Sequence, residues 1–158
     1  MEYDRVGLDR FDSAILSELA RDGRMSVTDL AVRIGLSKSP TQARLRKLEK
    51  DGVILGYRAM LDPIRLGMDH VAFVEVRLTD TREGALLAFN QAVVKVPEIE
   101  QAHMIAGNLD YLLKVRTRDM ADYRQFLGET ISQLPYVAST STYVAMEAVK
   151  EAVLAEVT

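Results

Sequence analysis

Apolar residues recur along this chain in two rhythms, helical over residues 1–60 and a mixture of strand and helix thereafter. Phe11, Ile15, Leu16 and Leu19 keep helical spacing, with Asp9 placed as N-cap and Gly23 as the stop. Ser26 and Asp29 stand in a capping-box pattern and open a second helix, whose inward stripe is Leu30, Ala31 and Ile34. Gly35 ends it. Ser37 is the expected N-cap of a third helix, and Pro40 is tolerated in its first turn because those N–H groups have no helical partner. Thr41, Leu45 and Leu48 are its inward positions, and it ends near Gly52. Gly35, Leu36 and Ser37 make a connection of helix-turn-helix length, because glycine adopts the conformation that lets the next helix cross steeply.

Residues 53–60 alternate loosely and suit an extended segment, which Asp62 and Pro63 break. The pattern divides the chain into a helix-turn-helix domain at 1–60, a linker at 61–69 and a second domain at 70–158. In the second domain, residues 70–78 have strand composition, with Val74, Val76 and Leu78 on one face. Residues 82–94 read as a helix with Leu86, Leu87, Phe89, Ala92 and Val93 inward. Residues 99–105 and 111–115 read as strands joined by a hairpin-type loop, residues 120–134 as a helix stopped by Pro135, and residues 137–149 as a final strand. In that strand Thr140, Thr142 and Val144 alternate with Ser141, Tyr143 and Ala145. The order β-α-β-β-α-β predicts a ferredoxin-like sandwich, so the whole chain is of the α+β class. Two helices cover one face of such a sheet, and a second subunit is the economical cover for the other.

Composition narrows the function. Apolar residues make up 48% of the chain and charged residues 27%, which is ordinary globular usage and argues against disorder. Cysteine is absent, which excludes a disulfide framework and thiolate metal sites and suits a reducing cytosol. Residues 1–10 are polar, without the apolar core of a signal peptide, and no run reaches the roughly 18–20 apolar residues of a membrane helix, so a cytoplasmic protein without a membrane partner is expected. His70 and His103 are the only histidines. With no phosphate-loop pattern, no ordered nucleophile-base-acid set and no metal spacing, neither catalytic nor metal-binding residues nor a cofactor are expected.

The net charge of −3 looks unpromising for a nucleic-acid binder until it is divided by position. Residues 1–60 carry 11 basic and 9 acidic side chains, whereas residues 61–158 carry 9 and 14. Within residues 37–50, Lys38, Arg44, Arg46, Lys47 and Lys50 are opposed only by Glu49. A local basic stripe is what meets phosphate, although a solvated helix face has the same composition. The three-helix pattern and short turn favour double-stranded DNA as the partner. Removing the inward residues of the third helix leaves Lys38, Ser39, Gln42, Ala43, Arg46 and Lys47 outward, with Ser37 at its start. The N-terminal end of a recognition helix meets base edges, which makes Ser39 and Gln42 base-reading candidates and Ala43 a partner for a thymine methyl. Lys38, Arg46 and Lys47 are candidates for phosphate, which sets register and affinity.

Several segments in order carry a family resemblance. They are Leu8, Asp9, Arg10, Phe11 and Asp12 with Ile15 to Leu19; Gly35, Leu36 and Ser37 through Arg44 to Glu49; and Gly52 to Tyr57. Gly107 with Asp110, Tyr111, Leu112, Leu113, Lys114 and Val115 follows, then Thr142, Tyr143 and Val144 with Met146 and Glu147. Together they resemble the Lrp/AsnC (leucine-responsive, feast/famine) family of prokaryotic transcription regulators over nearly the whole chain. Arg124, Leu127, Gly128, Glu129 and Thr130, with Leu134 to Val137, bring it nearer the leucine-responsive branch. Residues 38–43 depart from the family pattern, so no operator sequence carries over.

The resemblance implies a winged-type helix-turn-helix, a ferredoxin-like domain that binds an amino acid at subunit contacts, and dimers assembled into octamers or similar forms. Leucine, another branched-chain amino acid or proline is the implied effector, with genes of amino-acid metabolism as targets; an effector-independent, nucleoid-organising DNA binder is the alternative. Arg44 matches a typical family arginine, which either contacts DNA or pairs with an acidic residue such as Glu49. Gly107 and Asp110 match the effector-contacting turn, where a carboxylate suits an ammonium and unobstructed backbone N–H groups suit a carboxylate. Met120, Thr140, Thr142 and Tyr143 match further positions tied to ligand response; the plainer reading leaves Asp110 capping a turn and the threonines decorating a strand.

Overall fold

A computed structural model describes residues 7–151, and the readings made for residues 1–6 and 152–158 lie outside the described residues. The chain divides into two units, one running to Met60 and also including Lys150 and Glu151, the other spanning Leu61–Val149, so the second unit ends before residue 158.

The first unit holds α1 (Arg10–Arg21), α2 (Val27–Ile34) and α3 (Lys38–Lys50). Asp9 caps α1, and the reciprocal capping box lies here: the Asp9 carboxylate accepts from the Phe11 and Asp12 N–H groups, while Asp12 accepts from the Asp9 N–H. Ser26 caps α2 as expected, but Asp29 takes the Ser26 hydroxyl rather than its backbone N–H, so the box is incomplete there. Gly35 ends α2 at φ 71°, the left-handed region that glycine enters without a Cβ clash. Ile15, Leu30 and Leu48 form the buried centre, flanked by Leu8, Leu16, Leu19, Met25, Ile34, Leu45, Val53 and Ile54. Beyond that centre the chain makes no strand: residues 55–60 have no pairing partner within the described residues, and Leu55 is 96% exposed.

In the second unit, residues 62–68 form turns, and the Arg116 guanidinium donates to the Met68 carbonyl at 3.0 Å. Four strands follow: β1 (His70–Leu78), β2 (Ile99–Met104), β3 (Tyr111–Thr117) and β4 (Val137–Val144). They form one antiparallel sheet in the order β2-β3-β1-β4. The helices α4 (Glu83–Val93) and α5 (Met120–Glu129) supply Phe89, Val93, Tyr123 and Phe126 to a core built on Ala72, Val74, Val76, Leu113 and Val115.

Three details differ from the pattern reading. Leu87 is 55% exposed, because Ala85, Phe89 and Val93 set the buried stripe of α4. The expected helix at 120–134 breaks at Thr130 and continues as a single 3-10 turn, Ile131–Gln133, which lets Ile131 and Leu134 enter the core. β4 ends at Val144, opposite Ala72; the Ala145 N–H still donates to the Val71 carbonyl at 2.9 Å, but the expected continuation to residue 149 does not form.

Candidate nucleic-acid interface and effector site

The third helix presents its outward residues as a continuous surface. Ser37, Lys38, Ser39, Ala43, Arg46 and Lys47 are exposed and Gln42 is half-buried, while Thr41 and Leu48 are buried beneath them. Thr41 belongs inside because its hydroxyl donates to the Ser37 carbonyl at 2.9 Å, which spares it an unpaired polar atom. The Ser37 side chain makes no capping bond, so its hydroxyl stays available at the exposed start of α3.

The basic residues of this helix are not equivalent. Lys38, Arg46 and Lys50 meet no carboxylate within ion-pair distance among the described residues. Lys47 pairs with Asp51 at 3.0 Å, and that bond holds its ammonium above its ordinary pKa. Arg44 is committed further. Its Nη1 donates to Asp12 at 2.8 Å and to Asp9 at 2.7 Å, and its guanidinium lies 5.4 Å from the centre of the Phe11 ring. The sequence left Arg44 between DNA and a carboxylate such as Glu49; the carboxylates are Asp9 and Asp12, and Glu49 instead accepts from the Tyr57 hydroxyl at 2.9 Å. The capping-box carboxylates thus gain a cation, and α3 is tied to the start of α1. The Asp12 backbone bond, helped by Arg44, keeps Asp9 below the usual carboxylate value.

In the second unit the candidate effector residues do not gather at one place. Asp110 lies where the β2–β3 loop returns to β1. Its N–H donates to the Val76 carbonyl, and its carboxylate accepts from the Leu78 N–H at 2.7 Å, so one oxygen is already used to cap β1. Gly107 is exposed in the same loop, and a Cβ there would meet only Ile105 Cγ2 at 3.7 Å. Thr140 pairs across the sheet with Val76 and so lies near that end.

Thr142 and Tyr143 lie further along β4, opposite Val74 and Phe73. Their side chains take opposite faces: the Thr142 hydroxyl bonds the buried Tyr123 hydroxyl at 2.5 Å, while Tyr143 is 56% exposed on the face away from the helices. Met120, half-exposed, begins α5 just beyond Thr117, which pairs with His70 at the opposite end of β1. At roughly 3.3 Å per residue, about 20 Å of strand separates that end from Asp110. One free amino acid cannot touch both within a single chain. Sequence reasoning missed Asp9 and Asp12 as partners of Arg44, although their three-residue spacing at a helix start was a readable signal. It also missed Tyr123, which only the fold brings to Thr142.

A helix-turn-helix joined to a ferredoxin-like sandwich defines a DNA-binding regulator with an effector domain rather than an enzyme. The family described as winged helix-turn-helix DNA-binding matches residues 8–54, and the one described as Lrp/AsnC ligand binding domain matches residues 71–154. The chain belongs to the Lrp/AsnC family of transcription regulators. It is 60% identical over 144 residues to a proline dehydrogenase transcriptional activator of Rhizobium radiobacter, covering 91% of this chain and 92% of that one. It is 47% identical to the leucine-responsive regulatory protein of Klebsiella pneumoniae, covering 91% and 88%. A Neisseria meningitidis transcriptional regulator solved as a complex with L-methionine is similar in structure, with a TM-score of 0.85 and 30% identity, covering 92% and 94%. None of the described helices is long and apolar enough to cross a membrane.

Proposed function

We propose that this regulator takes proline as its effector and acts on genes of proline breakdown, in the cytoplasm where its DNA lies. The observation that carries the reading is the 60% identity, over almost the full length of both chains, to an activator of proline dehydrogenase. Leucine or another branched-chain amino acid ranks lower because the leucine-responsive relative is only 47% identical.

In this reading Ser39, Gln42 and Ala43 contact base edges, while Ser37, Lys38, Arg46 and Lys47 hold phosphates. Arg44 sets the angle of α3 through Asp9 and Asp12. Proline lies over Gly107, with the spare carboxylate oxygen of Asp110 facing its ammonium and Thr140 nearby. Met120, Thr142 and Tyr143 act from another copy of the chain or through the packing of α5, since one chain cannot bring them to the same ligand. The face of the sheet opposite the helices, with Phe73 and Tyr143 exposed on it, takes a second copy, and dimers of this kind build larger assemblies. The effector changes DNA binding by favouring one arrangement of the assembly over another, which requires unequal affinity for the two.

Calorimetric titration of the full chain with each of the twenty amino acids tests the reading, with assembly size followed by light scattering. Proline should bind alone or most tightly. Binding of leucine but not proline would move the target to branched-chain metabolism. Binding of none, with large assemblies intact, would leave an effector-independent DNA-organising protein.

A further inference from the structure

Tyr136 is the only non-glycine residue with positive φ among the described residues, at 62°. A left-handed backbone brings the Cβ of an L residue against its own carbonyl, so glycine or asparagine is the ordinary choice there. The surrounding bonds hold the conformation in place. The Tyr136 carbonyl accepts from the Thr79 N–H at 2.7 Å and from its hydroxyl at 3.3 Å, and Val137 next to it pairs with Leu78. The side chain gains no shelter in exchange: Tyr136 is 47% exposed and its hydroxyl has no hydrogen-bond partner among the described residues. A residue that is strained, locked and exposed has its side chain placed for contact with something outside the fold.

The location indicates what that contact is. Leu78 ends β1 and Thr79 follows it, and their N–H groups point to opposite sides, as successive residues of an extended chain do. Leu78 donates to the Asp110 carboxylate on one side and Thr79 donates to the Tyr136 carbonyl on the other. Two strand spacings, about 10 Å, therefore separate these two positions, and the length of a tyrosine side chain is more than half of that. Arg82 stands at the same end, clamped on Asp80 by three bonds of 2.6 to 3.0 Å.

We infer that Tyr136 is a specificity-determining contact for the effector, its ring receiving the apolar side chain of an amino acid whose charged head lies at the Gly107–Asp110 turn. An aromatic face with a polar rim suits a compact aliphatic group such as the proline ring and gives little to glycine or to a charged side chain. The inference rests on the reading of residues 107–110 as the effector turn.

The strain supplies a clean test, because Tyr136→Gly removes the ring while giving the backbone the residue its φ favours, so the variant does not fail by misfolding. The full chain, Tyr136→Gly and Tyr136→Phe are each titrated with proline, leucine, methionine and glycine, and their melting temperatures are compared. Tyr136→Gly should melt no lower than the parent. It should bind the apolar amino acids about tenfold more weakly, a loss of one side-chain contact, and prefer them less over glycine. Tyr136→Phe should keep the ranking. Parent-like affinity and ranking in Tyr136→Gly would overturn the inference while leaving the effector turn in place. If the parent binds no amino acid, the effector reading itself falls and the inference with it.

Discussion

The two units carry function in opposite ways. In the DNA-reading unit every candidate contact sits on one helix of 13 residues or at its N-cap, Ser37, and helical periodicity alone brings Lys38, Ser39, Gln42, Ala43 and Arg46 to one surface. In the effector unit the candidates lie on a loop, a strand and a helix start, and antiparallel pairing decides which of them meet. Asp110 is brought to Leu78 across 32 positions of sequence, while Thr142 and Tyr143, adjacent in sequence, face opposite ways. A site on one helix is complete in one chain. A site assembled from strand ends depends on the whole sheet and, for residues about 20 Å apart along β1, on a further molecule.

Four variants would break or sharpen that contrast. The largest effect is expected for Ile15→Ala, which empties a small core centred, among the described residues, on Ile15, Leu30 and Leu48, at a cost of about 2–5 kcal/mol. DNA binding should vanish while calorimetry still shows the transition of the second unit, whose core is separate. Loss of both transitions together would show the units to be coupled. Gln42→Ala should weaken discrimination at one base pair by about 1–3 kcal/mol and leave non-specific binding alone; equal loss on every sequence would remove Gln42 from the base-reading set. Arg46→Ala and Arg44→Ala should both weaken binding to all DNA but differ in salt dependence. Arg46→Ala should lower the salt slope by about 0.9, as a lost phosphate contact does, whereas Arg44→Ala should leave it unchanged because Arg44 is held by Asp9 and Asp12. A lowered slope for Arg44→Ala would return that residue to the DNA surface. The smallest effect concerns pH. Asp9 has a depressed pKa in the folded state, so its stabilisation is complete above the ordinary value of 3.8 and is lost as pH falls through the lower folded value. Carboxyl NMR titration should find Asp9 below 3.8 in the parent and nearer to it in Arg44→Ala.

The helical half was legible almost residue by residue, because caps, stripes and stops are local signals. Asp9, Ser26 and Gly35 act where the sequence placed them. The errors there were of partner rather than position: Arg44 reached back 35 residues to Asp9, which no spacing rule within a helix reports. In the second unit the strand order and alternation were also readable, since period-two patterns survive pairing. Leu87 was misread because α4 is apolar on more than one side, so composition does not choose the buried stripe; Ala85, small enough for close approach to the sheet, does. The break at Thr130 was equally invisible, because it is set by the need to bury Ile131 and Leu134 rather than by a helix-stopping residue at that position. The candidate effector site was the least legible. The resemblance supplied its candidate residues, but their separation along β1 follows from register, which no single segment encodes.

Glycines at positive φ stand at both borders of α3, Gly35 before it and Gly52 after it, and its buried anchors Thr41 and Leu48 are distinct from its outward candidate positions. Ser39 and Ala43 are exposed. Stops and anchors fix the helix, and the outer letters are left to vary. Such a helix behaves as an exchangeable cassette: a lineage can retune which promoter it recognises by single substitutions that leave folding intact, while changes in the effector unit must satisfy a whole sheet at once. Operator preference is therefore expected to diverge among near relatives faster than the ligand they respond to.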